Sequence, residues 1–247
     1  MIKAGGAAVP GRSHDANGTV CQDAVASLVR GETACIALAD GAGSRALSHI
    51  GATLTTRLVA RMLVSDFARL YALARQDPEA FASSMVGSLQ RSLARAAKRK
   101  GASIGDLACT LMFVACQRNT YVAGHIGDGL LVVRDGAQVS LLSTPENGEF
   151  SNSTFFLSDL GAHRRLRIHH GEVGARLGAL LMSDGAADSL YDKKAKTLSS
   201  GGHYLIDWAV RLPNRRGRAM IDLNLRQVIK RRTTDDCALA FLVGPPA

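Results

Sequence analysis

Between residues 44 and about 100 the apolar side chains recur at helical spacing, whereas on both sides of that block they fall into short runs of strand length. This contrast restricts the folds open to the chain. Leu54, Leu58, Val59, Met62 and Leu63, followed by Phe67, Leu70 and Tyr71, form the apolar stripe of a long amphipathic helix. Asp77-Pro78-Glu79 offers a capping carboxylate and a proline at the first helical position. A second helix therefore starts there, carries Phe81, Met85, Leu89 and Leu93, and stops at Gly101 after the basic run 95–100. Ahead of the block, residues 23–30 and 33–39 read as paired strands around Gly31. After it, 107–116, 121–126, 130–134, 138–142 and 177–182 read as strands, with Asp135-Gly136 as a hairpin turn. Helical patterns around 204–212 and 219–231 and a last strand over 237–243 follow. Hairpin-connected strands with a helix pair inserted among them predict antiparallel sheets covered by helices, not a parallel βαβ fold.

Composition narrows the classes further. The 247 residues, 47% hydrophobic and 21% charged, suit one globular domain over 1–247 and exclude wholesale disorder. No apolar run approaches the ~20 residues of a membrane helix, and the first residues lack the charged flank and apolar core of a signal peptide. The five scattered cysteines form no C-x-x-C pair and read as small core hydrophobes. The expectation is a soluble, cytoplasmic protein. A formal charge of +9 admits nucleic acid, a membrane surface or a phosphorylated partner. Aromatic residues are only 5%, too few to interleave with the cations, which disfavours nucleic acid. The basic groups at 91–100, 164–167, 211–218 and 226–232 read mostly as solvated helix faces and ends.

The acids are lopsided, with 16 aspartates against 5 glutamates, and their positions are more telling than their number. Three apolar strands end in Asp-Gly, at Asp40-Gly41, Asp128-Gly129 and Asp184-Gly185. Gln22-Asp23 opens the first of the paired strands, and Asp235-Asp236 precedes the last strand. One Asp-Gly alone is ordinary turn chemistry. Several at the ends of well-separated antiparallel strands can gather at one rim, where their mutual repulsion calls for a cation. Hard divalent ions such as Mg²⁺ and Mn²⁺ take oxygen ligands of this kind. The residues themselves reach a hard-metal site at a sheet rim and no further.

At these positions the chain resembles the metal-dependent serine/threonine protein phosphatases of type 2C, in a divergent bacterial form. Cys21-Gln22-Asp23-Ala24 is similar to the family's first acidic motif, and Ala39-Asp40-Gly41-Ala42-Gly43-Ser44 to its Asp-Gly-x-Gly motif. Ala108-Cys109-Thr110-Leu111 resembles the small-residue/Thr strand, and Gly124-His125-Ile126-Gly127-Asp128-Gly129 the Gly-Asp strand. Leu181-Met182-Ser183-Asp184-Gly185 is similar to the Ser-Asp-Gly motif, and Thr234-Asp235-Asp236-Cys237 to the terminal Asp-Asn motif. Each is weak alone; six in order, spanning about 11–243, are specific.

The resemblance implies an α+β fold, a four-layer α-β-β-α sandwich of two packed antiparallel sheets flanked by helices. It also implies hydrolysis of phosphoserine and phosphothreonine by a metal-activated water, with two Mg²⁺ or Mn²⁺ ions and a weaker third site, reversing a partner kinase in signalling. Carried over by position, Asp40 bridges two metals and the Gly41 carbonyl binds one. Asp184 and Asp235 hold the other, Asp23 acts through metal-bound water, and Asp128 with Asp184 serves the third. The chain departs from the pattern where the family's phosphate-gripping arginine would stand, at Gly18, and where some members carry a histidine, at Ala42. Gln22 and Asp236 replace the usual acid and asparagine. Arg12, His14 and Arg45 are the candidates for the phosphate contact. Two alternatives remain at this point: a non-catalytic relative that binds phosphoproteins through the same rim, and a basic nucleic-acid-associated protein.

Overall fold

The computed structural model describes residues 1–145 and 154–245. Twelve strands are recognised among these residues: β1 (Lys3–Val9), β2 (Ala24–Arg30), β3 (Thr33–Ala39), β4 (Leu111–Gln117), β5 (Thr120–Ile126), β6 (Leu130–Asp135), β7 (Gln138–Ser143), β8 (Arg167–Glu172), β9 (Leu177–Met182), β10 (Tyr191–Asp192), β11 (Thr197–Leu198) and β12 (Cys237–Val243). The helices are α1 (Arg12–Asn17), α2 (Ser48–Ser65), α3 (Phe67–Gln76), α4 (Pro78–Arg99), α5 (Asp184–Leu190), α6 (Ser200–Arg211) and α7 (Asn214–Asn224). One sheet has the order β1-β12-β9-β6-β7 and the other β2-β3-β4-β5-β8, with every neighbouring pair antiparallel.

The two sheets pack face to face because their strands are apolar on both sides. Along β3, Ala34, Ile36 and Leu38 join the core between the sheets, while Cys35 and Ala37 face the layer under α2 and α4. The inter-sheet core also takes Met112, Val114, Leu131, Leu181, Ala240 and Leu242. On the far side, Leu180, Met182, Leu239 and Phe241 meet Leu205, Ile206 and Ile221 of α6 and α7. Helices therefore cover both outer faces, giving four layers as expected.

Several boundaries differ from the sequence reading. The long first helix is broken at Asp66, so α2 and α3 are separate. The restart at Asp77 is as expected, its carboxylate accepting the Ala80 N–H at 2.9 Å. The strand expected from 107 begins at Leu111, because Ile104–Leu107 is a 3₁₀ turn capped by Ser103 and Asp106. Asp184-Gly185, read as a strand-ending turn, instead opens helix α5. The helix expected over 219–231 starts earlier, at Asn214, and passes into a π turn over Leu225–Ile229. Strands β1, β8, β10 and β11 add to those the sequence pattern predicts; β1 is Gly- and Ala-rich, and β10 and β11 are two residues each. In the basic group 164–167, Arg167 is not on a solvated helix but on β8, donating to the Thr144 and Gly127 carbonyls at 2.5 and 2.9 Å. Asp135-Gly136 is the expected hairpin turn, and Asp135 also accepts the Gly174 and Ala175 N–H groups at 2.9 Å each.

Helix α2 lies so close to the 3₁₀ turn that a Cβ on Gly51 would sit 2.0 Å from the Leu107 carbonyl oxygen. Gly51→Ala is expected to lower unfolding stability by about 1–3 kcal/mol, the usual cost of overpacking, read as a shifted urea midpoint at constant m.

Candidate metal centre

The strands deliver their aspartates to one end of the sandwich. Asp40 follows β3, and its backbone is clamped by Thr110: the Asp40 N–H donates to the Thr110 hydroxyl at 2.9 Å, and the Thr110 N–H to the Asp40 carbonyl at 2.8 Å. Gly41 continues the pairing by a bridge to Cys109. Asp128 lies between β5 and β6 and accepts the Thr154 hydroxyl. Asp184 opens α5, where negative charge meets the helix N-terminus, and it accepts the Gly185 N–H at 2.6 Å. Carboxylate oxygens of Asp40, Asp128 and Asp184 all lie within 4.8 Å of one another, a spacing suited to a metal ion.

Asp23 completes the interior side. It is 6% exposed, and neither carboxylate oxygen has a hydrogen-bond partner. Burial holds its carboxyl well above the usual carboxylate range, against a smaller lowering by nearby Ser183, and the charges of Asp184 and Asp236 add to the rise. Asp40 is raised by burial and then by the charges of Asp23 and Asp184. Asp184 is pushed up to about 6, chiefly by burial, with Asp235 and Asp128 contributing and its contact with Asp40 opposing. An unpartnered buried carboxylate beside others that resist ionising is a donor set that fits a hard divalent cation. Asp235 lies on the open side, within electrostatic range of Asp40, Asp128 and Asp184 but outside the close group of three.

The residue that sequence reasoning missed is Asp236. Its buried carboxylate accepts the Gly11 N–H at 2.7 Å, the Gln22 N–H at 2.6 Å and His14 Nδ1–H at 2.9 Å. It thereby ties the entries to α1 and β2 to the segment before β12, which sets Asp23 and Asp235 relative to one another. Nothing local in the sequence signals this, because all three donors are distant in the chain. Helix α5 reaches the same segment: a Cβ on Gly185 would sit 2.2 Å from the Asp236 carbonyl oxygen.

The expected phosphate contacts fall in two places. Arg12 and His14 are on α1, against the 233–236 segment, and Arg12 Nε donates to the Thr233 carbonyl at 2.9 Å. Arg45 is exposed in the turn after Gly41, where its carbonyl accepts from the Gln22 amide at 3.4 Å. At Gly18, with φ +64°, no atom lies within 4 Å of where a Cβ would stand.

A family profile described as protein phosphatase 2C matches residues 10–215. The chain belongs to the protein phosphatase 2C family. Serine/threonine-protein phosphatase 3 of Escherichia coli (strain K12) is 30% identical to this family member over 165 residues, covering 65% of this chain and 64% of that protein. The chain thus matches somewhat less than two thirds of that relative's length. A bacterial serine phosphatase shares the phosphatase 2C fold at TM-score 0.67 and 13% identity, over 100% of this chain and 99% of that one. The catalytic domain of the serine/threonine phosphatase PstP, solved with two manganese ions, does so at TM-score 0.65 and 16% identity, over 99% of each chain. PppA of Pseudomonas aeruginosa does so at 0.64 and 18%, over 98% of this chain and 97% of that one. At these identities the solved structures speak for the fold.

The raised carboxyls have a measurable consequence without metal. A group raised from 3.8 to about 6, as Asp184 is, contributes stability that is full below the lower value and lost as pH rises through the upper one. In EDTA, the melting temperature of the wild type is therefore expected to fall more steeply between pH 5 and 7.5 than that of Asp184→Asn, and Mn²⁺ should recover it at pH 7.5. Parallel profiles for the two proteins would show that Asp184 is not under this strain.

Proposed function

We propose that this protein phosphatase 2C family member hydrolyses phosphoserine and phosphothreonine in proteins, using Mg²⁺ or Mn²⁺ held by the aspartate cluster. The observation that carries the reading is the convergence of Asp40, Asp128 and Asp184 beside the unpartnered Asp23. When bound, the divalent ions supply an acidified water as nucleophile and positive charge for the phosphoryl oxygens.

In this reading Asp40 would hold both principal ions, the Gly41 carbonyl one of them, and Asp184 with Asp235 the other. Asp128 and Asp184 would serve a weaker third ion, and Asp23 would orient water from the interior side. Asp236 is a positioning residue, since its carboxylate is already taken up by Gly11, His14 and Gln22. Arg12, His14 and Arg45 are the proposed contacts for the substrate phosphate, Arg12 and His14 approaching from α1 and Arg45 from the turn after Gly41. A substrate of this kind requires a serine/threonine kinase to make it, and we place both activities in the cytoplasm. No helix among the described residues is long and apolar enough to cross a membrane.

The test is hydrolysis of a phosphothreonine peptide with Mn²⁺ and with EDTA. Activity should disappear in EDTA, return with Mn²⁺, and be undetectable in Asp184→Asn with the fold retained. Near-wild-type turnover in that variant at saturating Mn²⁺ would refute the assignment, and inactivity of the wild type with retained phosphopeptide binding would favour a non-catalytic binding protein. For the phosphate grip, a charge-assisted contact of about 1.5–3 kcal/mol predicts a roughly ten- to hundredfold loss of kcat/KM in Arg12→Ala or Arg45→Ala. If both stay within about twofold of wild type, neither arginine holds the phosphate.

A further inference from the structure

A cavity of about 610 Å³ takes Asp128 and Asp184 of the carboxylate cluster into its lining, together with Lys193 and Lys196. Three of its lining residues, Asp184, Ala187 and Asp188, follow at helical spacing on α5. The lysines belong to the turn between β10 and β11. The Asp192 carboxylate accepts the Lys194 and Ala195 N–H groups at 2.8 and 2.9 Å, and Lys196 holds a left-handed φ of +53°, so the turn presents both lysines from a fixed backbone.

The charges in this cavity are unevenly matched. Lys193 Nζ lies 2.8 Å from Asp188, with side chains 67% and 51% exposed, and it feels the charges of Asp184 and Asp128. Lys196 has no ion-pair partner among the described residues. Exposed pairs of the Lys193–Asp188 kind are worth little, so Lys193 can turn to another anion at small cost. The described lining sets Asp128, Asp184 and Asp188 against Lys193 and Lys196, and an ion held by Asp128 and Asp184 would offset those two carboxylates and leave the lysines facing Asp188 alone. A second basic turn, Lys230–Arg232, packs against the same helix, and the whole chain carries +9.

We propose that this cavity is a subsite for an anionic side chain of the substrate close to the phosphorylated residue, with Lys193 and Lys196 as its contacts. The inference rests on the proposed phosphatase reading and adds its substrate class: phosphoproteins with acidic or multiply phosphorylated sites. Lysine suits this task as a mobile point charge that accepts a carboxylate or a phosphate without a fixed fork geometry.

The experiment compares kcat/KM in Mn²⁺ for phosphothreonine peptides that differ only in flanking residues: neutral, aspartate on the N-terminal side, aspartate on the C-terminal side, or a second phosphoserine. The proteins are wild type, Lys193→Gln with Lys196→Gln, and Lys193→Glu with Lys196→Glu. The readout is the ratio of anionic to neutral peptide within each protein, which cancels any general loss of activity. In the wild type the best anionic peptide should exceed the neutral one about tenfold, or about 1.4 kcal/mol. The ratio should fall below about twofold in the glutamine variant and below one in the glutamate variant, the sign change expected of like charges brought together. An advantage for aspartate and phosphoserine alike supports a general anion site, and one confined to phosphoserine narrows it to a phosphate site. A wild-type ratio near one, or a ratio preserved in the glutamine variant, overturns the subsite. Hydrolysis of p-nitrophenyl phosphate by the wild type separates the two levels. If it proceeds without anionic preference, only the subsite falls; if no substrate is hydrolysed, the phosphatase reading falls and the subsite with it.

Discussion

Carboxylates from separate strand ends are held together at one end of the sandwich, and the arrangement around them serves to keep them there. Two unit charges at the 4.8 Å limit of the Asp40–Asp128–Asp184 group repel by about 3–4 kcal/mol at an effective dielectric of about 20. Burial adds to this at Asp23 and Asp40. The surroundings resist largely by fixing backbone: Thr110 clamps both sides of the Asp40 peptide unit, and Asp184 sits at the α5 N-terminus, while Lys193 adds some counter-charge near Asp184 and Asp128. A divalent cation resolves the repulsion that the chain itself only contains. The antiparallel sheets are what make the convergence possible, since they bring the ends of strands far apart in sequence to one rim.

Asp236 ties together the segments that carry the cluster. Its carboxylate gathers two backbone N–H groups and the His14 ring, and these hydrogen bonds to a buried charged group are strong because the alternative is an unsatisfied anion. Through them the segments bearing Asp23 and Asp235 keep their spacing. The same contact holds His14 beside Asp236, with a side chain 20% exposed. The outer surface differs in character: Lys193 and Lys196, beside α5, place positive charge next to an acidic interior.

Much of this was legible in the sequence for definite reasons. The apolar runs of β3, β4, β5, β9 and β12 are continuous because both faces are buried, and the stripe on α4 is regular because one face packs on a sheet. Asp-Gly at the ends of such runs marked the positions of Asp40, Asp128 and Asp184. What escaped reading lacks a local signature. Strand β1 is built from Gly and Ala that carry little hydrophobic contrast, β8 is an edge strand rich in Arg and His, and β10 and β11 are too short for periodicity. The break at Asp66 has neither a proline nor a glycine to announce it. The role of Asp236 is set by donors at Gly11, His14 and Gln22, and only the folded chain brings them to it.

The central claim is that the aspartate cluster is a divalent-cation site. Anomalous diffraction at the manganese edge, from crystals of the protein grown with Mn²⁺, tests it most directly. The account predicts two strong peaks in contact with the Asp40 carboxylate, one of them shared with Asp184. Manganese found only on the outer surface, with none on Asp40 or Asp184, would contradict it.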